Sequence, residues 1–175
     1  FLCYPLIGSQ KLARLRKLLE RAEVSTLINS VEGAQGLSEL GVSMGRKIPV
    51  RIDLDGGLGR GGLRPGQPAL EFARAVGDLP GIEIVGLMYY GGLIYHQKDR
   101  AAMEEITRKE QKELVETANL LRENGFPIRV LSGGTSFSGK MPQLLEGITE
   151  IRSGHYIFND CGQLFSGFAT EEDCA

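Results

Sequence analysis

The sequence predicts an α/β fold, a parallel TIM-type (β/α)8 barrel that is incomplete, with about six of the eight βα units present and the first strand missing. Short apolar runs alternate strictly with amphipathic stretches along the chain. Glycine-rich or polar loops follow several of these runs. Such alternation places parallel strands side by side with helices packed outside them. The 175 residues are enough to bury a core without a metal or a disulfide.

Each strand is predicted from a short run rich in apolar and β-branched residues. These runs lie at residues 1–5, 24–28, 48–54, 82–90, 128–131 and 148–152, and residues 156–158 continue or follow the last one. Helices are predicted where apolar side chains recur every three or four residues. These stretches lie at residues 9–22, 31–45, 68–79 and 98–124, with a short helix at 140–146. Gly125 and Pro127 supply the expected end of the longest helix.

A doubly wound sheet is the competing parallel architecture. It usually carries one phosphate-binding loop, after its first strand. Here ligand-type loops begin at Asp53, Tyr90, Ser132 and Gly154, after four different strands. A barrel brings all such loops to one mouth, at the C-terminal ends of its strands. We therefore prefer the barrel.

Composition excludes several classes of function. The 20 basic and 22 acidic residues give a net charge of -2 with no basic run, which argues against nucleic-acid binding. No apolar stretch approaches the ~20 residues of a membrane span. The three cysteines, Cys3, Cys161 and Cys174, are widely spaced and predict neither a disulfide framework nor a zinc site. We expect a protein of the reducing cytoplasm.

Two glycine-containing segments could bind phosphate. Residues 132–136 read Ser-Gly-Gly-Thr-Ser, and small residues of this kind let backbone N–H groups point at an anion. A plain glycine turn is the alternative. Gly154 and the N–H groups near it could complete the phosphate cup, since barrel phosphate sites often span the last loops. Arg152 lies at the same strand end, facing the mouth or paired with Glu150.

Two further positions could contact the rest of a ligand. Arg60 lies in a glycine-rich loop, where its guanidinium would suit an oxyanion or remain solvated. Of Tyr89 and Tyr90, one should point into the barrel and could stack on a flat ring, although a strand tyrosine often only packs. His96 and His155 have no partner at metal-ligand spacing, and no GxSxG nucleophile elbow is present.

Together these loops resemble the alanine racemase N-terminal barrel superfamily, which is fold type III of the pyridoxal-phosphate enzymes. The likeness is greatest to its D-threonine aldolase and D-serine dehydratase branch. The matching stretches occur in family order at residues 4–8, 50–62, 86–92, 131–135 and 150–160.

The resemblance implies cofactor-binding roles for ten residues. Arg60 matches the arginine that bonds the phenolic oxygen of pyridoxal 5'-phosphate, and Tyr90 matches the residue against its pyridine ring. Arg152 lies where relatives place the partner of the pyridine nitrogen. The phosphate would be bound by Ser132, Gly133, Gly134 and Thr135 in one loop and by Gly154, His155 and Tyr156 in the other.

The resemblance also implies features outside this chain. The lysine that forms the Schiff base ends the first barrel strand and is expected before Phe1, so no catalytic residue is assigned here. Residues 1–160 would be the partial barrel, and residues 161–175 would start the connection to a C-terminal β domain. A divalent metal, if one is used, would be bound by that domain. No metal ligand is assigned within the chain.

The function implied is that of a pyridoxal-phosphate-dependent lyase acting on a small D-amino acid. Aldol cleavage of β-hydroxy D-amino acids such as D-threonine and dehydration of D-serine both remain open, as does racemisation. A non-catalytic pyridoxal-phosphate homeostasis barrel and a sugar-phosphate barrel enzyme are the alternatives. We expect a homodimer in the full-length form and no turnover from the isolated chain.

Overall fold

The computed structural model describes residues 1–174. Its six strands are all parallel and follow chain order across one sheet, β1-β2-β3-β4-β5-β6. They span Leu2–Pro5, Thr26–Ile28, Ile48–Leu54, Ile82–Tyr89, Val130–Gly133 and Glu150–Ile151. The five α-helices, α1 to α5, span Ser9–Leu19, Val31–Ser43, Gln67–Val76, Arg100–Glu123 and Cys161–Phe165. This is the incomplete (β/α) barrel that the sequence predicts.

The C-terminal part departs most from the predicted elements. The predicted helix at 140–146 is wrong: two 3₁₀ turns, Ser138–Lys140 and Pro142–Leu144, occupy this segment. Pro142 has no N–H to donate into a continuing α-helix. The strand predicted at 148–152 is reduced to two residues, and residues 156–158 form no strand. A 3₁₀ turn at Gly92–His96, another at Glu171–Asp173 and helix α5 were not predicted.

The convex face of the sheet carries the main hydrophobic core. Ile48, Val50, Ile52 and Leu54 alternate along β3 and are buried against the helices. Alternation along a strand sends Arg51 and Asp53 to the opposite, concave face. The same strand thus supplies core packing on one side and polar side chains on the other.

The concave face contains an ion pair that spans two intervening strands. Arg51 of β3 donates to both carboxylate oxygens of Glu150 of β6, at 2.5 and 3.1 Å. The ring of Phe1 covers the Arg51 guanidinium, with its centroid 3.8 Å from Cζ. Ser132 donates its hydroxyl to the same Glu150 at 2.5 Å. This polar network fixes the short edge strand β6 against the centre of the sheet.

The helices begin where sequence rules predict. Ser30 and Asp99 accept hydrogen bonds from the backbone at the starts of α2 and α4, as N-cap residues do. Asp160, at the predicted domain boundary, caps α5 in the same way. Residues 161–168 pack beside Phe137, whose ring lies 5.8 Å from that of Phe168. In the described residues no helix combines the length and apolar character that crossing a membrane requires.

Candidate functional site

A cavity of about 390 Å³ opens at the C-terminal ends of β1 to β4. Its walls include Asn29 after β2, Asp53 of β3, Arg60 and Tyr90 in the following loops, and Arg152 after β6. Five segments from distant parts of the sequence meet here because all strands are parallel. This is the position at which barrel proteins bind their ligands.

The two tyrosines at the end of β4 face opposite sides, as their alternation predicts. Tyr89 points outward and donates its hydroxyl to Glu113 of α4 at 2.6 Å. Burial, followed by the hydrogen bond to Glu113, raises the pKa of Tyr89 well above its usual range. Tyr90 faces the cavity instead. The aromatic surface available to a ligand is therefore that of Tyr90.

Arg60 is brought over Tyr90 by a tightly folded loop. Asp55 accepts hydrogen bonds from the N–H groups of Gly57 and Gly59, at 3.0 and 3.1 Å. Both glycines have positive φ angles, which other residues adopt only at a cost. The Arg60 Cζ lies 4.5 Å from the centroid of the Tyr90 ring, a cation–π contact. The loop thus presents a guanidinium and an aromatic face together.

Asp53 and Asn29 form a polar pair in the same wall, and neither was among the residues predicted to bind the cofactor. The Asn29 side-chain amide donates to Asp53 Oδ2 at 3.2 Å. Burial raises the pKa of Asp53, while the Asn29 hydrogen bond and the nearby charges of Arg152 and Arg60 oppose that effect. The sequence marks Asp53 as the start of a ligand-type loop, and strand periodicity places it opposite the core, but neither signal points to Asn29.

Arg152 is held in a fixed orientation at the cavity edge. Its guanidinium donates to the Tyr89 carbonyl at 2.9 Å and to the Ser132 hydroxyl. Burial lowers the pKa of Arg152, and the neighbouring Glu150 carboxylate opposes this shift. The guanidinium is therefore tied to β4 and β5 while still exposing an edge to the cavity.

The bend after β5 differs from the phosphate loop that the resemblance implied at Ser132–Thr135. Ser132 and Gly133 belong to strand β5, and the Ser132 hydroxyl is engaged by Glu150 and Arg152 on the concave face. The turn itself begins at Gly134, whose φ is 76°. The N–H of Thr135 donates to Ser138 Oγ at 2.7 Å.

Ser136 joins this bend to the loop after β6. Its hydroxyl oxygen accepts from the N–H groups of Gly154 and His155, both at 3.1 Å. Two backbone donors thus converge on one oxygen, the arrangement that anion sites use. The side chains of His155 and Tyr156 are largely exposed, and the contact of His155 with Ser136 is made by its backbone N–H. Ser136 lies within the predicted phosphate-binding segment but was not among the residues predicted to bind the cofactor.

The bend lies beside the cavity and does not line it. Tyr95, in the 3₁₀ turn after β4, connects the two regions. Its hydroxyl lies beside Thr135 and Ser136, and its phenol is close to that of Tyr90. Burial raises the pKa of Tyr95. Arg60, Tyr90 and the bend therefore lie along one rim of the barrel mouth.

These residue types fit pyridoxal 5'-phosphate. Tyr90 offers a flat apolar face, and Arg60 and Arg152 offer donors for ring substituents. The two backbone N–H groups that converge on Ser136 Oγ are donors suited to an oxygen atom at that position. No lysine lines the cavity in the described residues. Lys140, on the same face, donates its ammonium to Asn159 at 2.7 Å and to the Phe168 carbonyl. Among residues 1–174 no three His, Cys, Asp or Glu side chains are grouped to bind a metal ion.

The fold is that of a parallel β/α barrel protein, with a cavity at the strand ends that Arg60, Tyr90 and Arg152 line. The chain belongs to the alanine racemase N-terminal domain family, which matches residues 5–161. This agrees with the resemblance found in the sequence.

Two enzymes with similar sequences and one solved structure show how far the likeness extends. The chain is 30% identical over 154 residues to a D-threonine aldolase from an Arthrobacter species, covering 88% of this chain and 41% of that protein. It is 28% identical over 155 residues to a D-threo-3-hydroxyaspartate dehydratase from a Delftia species, covering 87% of this chain and 40% of that protein. The solved structure of the Delftia enzyme superposes with a TM-score of 0.82 at 26% identity, over 99% of this chain and 46% of the enzyme. The chain thus spans about two fifths of the length of these curated relatives.

Proposed function

We propose that this chain is the cofactor-binding barrel of a pyridoxal-phosphate-dependent lyase that acts on β-hydroxy D-amino acids. The observation that carries the proposal is the grouping of Arg60, Tyr90 and Arg152 around one cavity beside the Ser136 bend. The names of the relatives support the substrate class, since they include a D-threonine aldolase, a D-threo-3-hydroxyaspartate dehydratase and a 3-hydroxy-D-aspartate aldolase.

Pyridoxal phosphate, when bound, supplies an electron sink for the pair released when a bond at the substrate Cα breaks. The protein residues would orient and hold this group. Tyr90 would pack against the ring, and the Arg60 guanidinium would donate to an oxygen substituent. The backbone N–H groups of Gly154 and His155, which now donate to Ser136 Oγ, would donate to a phosphate oxygen instead. The Ser136 side chain would rotate away or donate its hydroxyl to the phosphate.

Arg152 would tune the electronic character of the ring. A guanidinium only donates hydrogen bonds and stays protonated near neutral pH. Its two fixed contacts, to Tyr89 and Ser132, prevent it from turning away. A ring nitrogen beside it would accept a hydrogen bond and remain unprotonated. That arrangement would limit, without abolishing, the capacity of the ring to take up the electron pair.

The bond that breaks distinguishes the two lyase reactions. Cleavage of Cα–Cβ in a β-hydroxy D-amino acid gives glycine and an aldehyde, and needs a base for the hydroxyl proton. Elimination removes the α-proton and the β-hydroxyl together. Both reactions place a hydroxyl near the cavity wall, where the partly buried Asp53 carboxylate is available to accept a hydrogen bond from it.

The proposal is tested on the full-length protein by adding pyridoxal 5'-phosphate and recording the absorbance spectrum. We expect a yellow adduct that borohydride fixes, followed by product formation from D-threonine or D-threo-3-hydroxyaspartate but not from their L-enantiomers. An adduct without turnover of any D-amino acid would indicate a binding protein instead. Absence of an adduct would overturn the proposal and favour a sugar-phosphate ligand.

A further inference from the structure

Helix α4 carries a carboxyl group that the proposed function does not use. Glu110 is only 7% exposed, and its Oε1 is buried without a hydrogen-bond partner. It lines a second cavity of about 10 Å³, close to the size of one water molecule. Gly133, Gly134 and Ser138 line the same cavity. A buried polar group left unpaired normally costs stability, which makes this carboxyl group a candidate for a role beyond packing.

The carboxyl group lies between the turns that follow β4 and β5. A side chain added at Gly91 would overlap both the Oε2 and the Cδ of Glu110, so the turn after Tyr90 packs directly on the carboxyl group. On its other side the cavity reaches Gly133 and Gly134, where the Ser136 bend begins. Glu110 therefore supports, from behind, the two turns that form the rim of the candidate site.

We propose that Glu110 is a positioning residue whose neutral carboxyl group holds the turn after β4 against the bend after β5. The inference rests on the proposed function only for the identity of the ligand, which is pyridoxal 5'-phosphate. Loss of the proton would place a charge between the two backbones, and the turns would separate to admit water. The site would then lose its arrangement although Glu110 touches no ligand.

The surroundings of Glu110 favour the neutral form. Burial raises the pKa of Glu110 to about 8, Glu113 adds to the effect and Lys109 opposes it. Lys109 is mostly exposed, and its ammonium lies 3.9 Å from Glu113. Tyr89 of β4 faces the same region but gives its hydroxyl to Glu113. The cavity wall formed by Gly133, Gly134, Ser138, Leu145 and Ile148 has no ionisable side chain.

The test compares the wild-type protein with Glu110→Gln, which keeps the shape of the neutral acid at every pH. Glu116→Gln, on the exposed side of the same helix, is the matched control. Pyridoxal 5'-phosphate is titrated against each protein at pH 6.5 and pH 9. If only the neutral form is competent, wild-type affinity falls relative to Glu110→Gln by about tenfold at one pH unit above the pKa. Glu116→Gln should follow the wild type.

Hydrogen exchange separates this inference from the proposed function. Amides of residues 91–92 and 134–136 are compared between wild type and Glu110→Gln at equal pH, without ligand. We expect equal exchange at pH 6.5 and faster exchange in the wild type at pH 9. Equal exchange at both pH values sinks the positioning role, whatever the ligand result. Differential exchange without any binding of pyridoxal phosphate would instead remove the proposed function and leave the positioning role standing.

A second variant keeps the test decisive if Glu110→Gln does not fold. Gly91 has a φ of -76°, which alanine also adopts, so Gly91→Ala acts only through its overlap with the carboxyl group. It should displace Glu110 and give fast exchange in both turns at pH 6.5 as well as at pH 9. A Gly91→Ala protein with wild-type exchange at both pH values would contradict the inference.

Discussion

Arg60 and Tyr90 show how single side chains are placed by features elsewhere in the chain. The Asp55 carboxylate folds the glycine loop, and the outward direction of Tyr89 leaves Tyr90 facing inward. The cation–π contact between Arg60 and Tyr90 then places the guanidinium over an aromatic face. A guanidinium held by a ring remains free to donate its N–H groups to an anion.

Replacing Arg60 should weaken binding of pyridoxal 5'-phosphate. A hydrogen bond to a charged group is worth about 1.5–3 kcal/mol, so Arg60→Ala should raise the dissociation constant by roughly 10- to 100-fold. Arg60→Lys should recover part of this loss. Arg64→Ala, an exposed arginine of the same loop, is the control and should bind like the wild type. Absorbance titration of the three variants checks the prediction, and equal affinity of Arg60→Ala and wild type would contradict it.

At the residue level, local rules narrow the candidates without selecting among them. Alternation along a strand indicates that one of Tyr89 and Tyr90 faces the barrel, and the glycines around Arg60 mark a loop, but the cofactor roles of Tyr90 and Arg60 come from the family resemblance. Ser132 was misplaced because the sequence does not mark where β5 ends. Two glycines follow Ser132, and they look like a loop although the strand continues through Gly133. Glu110 was missed because it lies within a helix that otherwise reads as amphipathic.

At the scale of secondary structure, strand β6 depends on a side chain rather than on its backbone. It has only two residues, and its pairing with β5 covers Ser132–Gly133 alone. The Glu150 carboxylate supplies the further attachment, through Arg51 on β3. Because the loop after β6 carries Arg152 and the Ser136 contacts, this attachment also positions the candidate site.

Removing Glu150 should therefore destabilise the fold more than removing an exposed ion pair. Glu150→Ala leaves Arg51 buried without its counterion, and because the Glu150 side chain is itself 35% exposed, the loss should fall between that of a surface pair and the about 3–5 kcal/mol of a fully buried one. Glu83→Ala, which breaks an exposed pair with Arg129, should cost at most about 1 kcal/mol. Urea unfolding of both variants at pH 7 measures the difference. Equal losses would show that the concave network contributes no more than a surface pair.

The same pair predicts a dependence on acid. Burial alone would raise the pKa of Glu150, but hydrogen bonds from Arg51 and Ser132 outweigh it and lower the pKa. A carboxyl group with a lowered pKa in the folded state stabilises the fold above its ordinary pKa, and the stabilisation is lost as pH falls through the lowered value. The stability difference between wild type and Glu150→Ala should therefore shrink below about pH 4.5.

The long helices and the central strands were predictable because their periodicity is strong. The β3 bounds agree with the predicted run at 48–54, and α4 begins at the Asp99 cap. The region after β5 was not predictable, because hydrogen bonds from backbone groups to side-chain hydroxyls determine its conformation. Thr135, Ser136 and Ser138 bond to backbone groups three to nineteen positions away, and no periodic pattern records such contacts.

For the whole molecule, the open edges of the sheet are the notable feature. In the described part of the chain β1 pairs only with β2, and β6 only with β5. Tyr4 on β1 is 74% exposed, and Ile151 on β6 is also exposed. An unpaired, apolar strand edge is a template for association with another chain.

The isolated 175-residue chain should therefore self-associate as its concentration rises. Tyr4→Lys should reduce this association, because a charge on an edge strand opposes pairing. Leu18→Lys, which changes an exposed leucine on helix α1, is the matched control and should associate like the wild type. Light scattering coupled to size-exclusion chromatography measures the mass. A concentration-independent monomer for all three proteins would rule out edge pairing.

The order of strands and helices along the sequence predicted the barrel. It did not predict the polar network on the concave face of the sheet. Arg51 and Glu150 are 99 residues apart and meet only when the sheet curves. From the sequence, Glu150 was expected only as a possible ion-pair partner of Arg152. Contacts between residues so far apart leave no local pattern. The strand-end loops around the site could therefore be predicted from the sequence, whereas the ion pair that connects the strands could not.

The Ser136 hydroxyl gives the molecule a property relevant to protein engineering. Since this one oxygen accepts from the backbone of residues 154 and 155, and Ser153 returns a hydrogen bond to the Thr135 carbonyl, the two loops fold as a single unit. A chimera that takes only one of these loops from a relative would lose the hydrogen bonds between them. Recombination between homologous genes should yield working hybrids only when both segments come from the same parent.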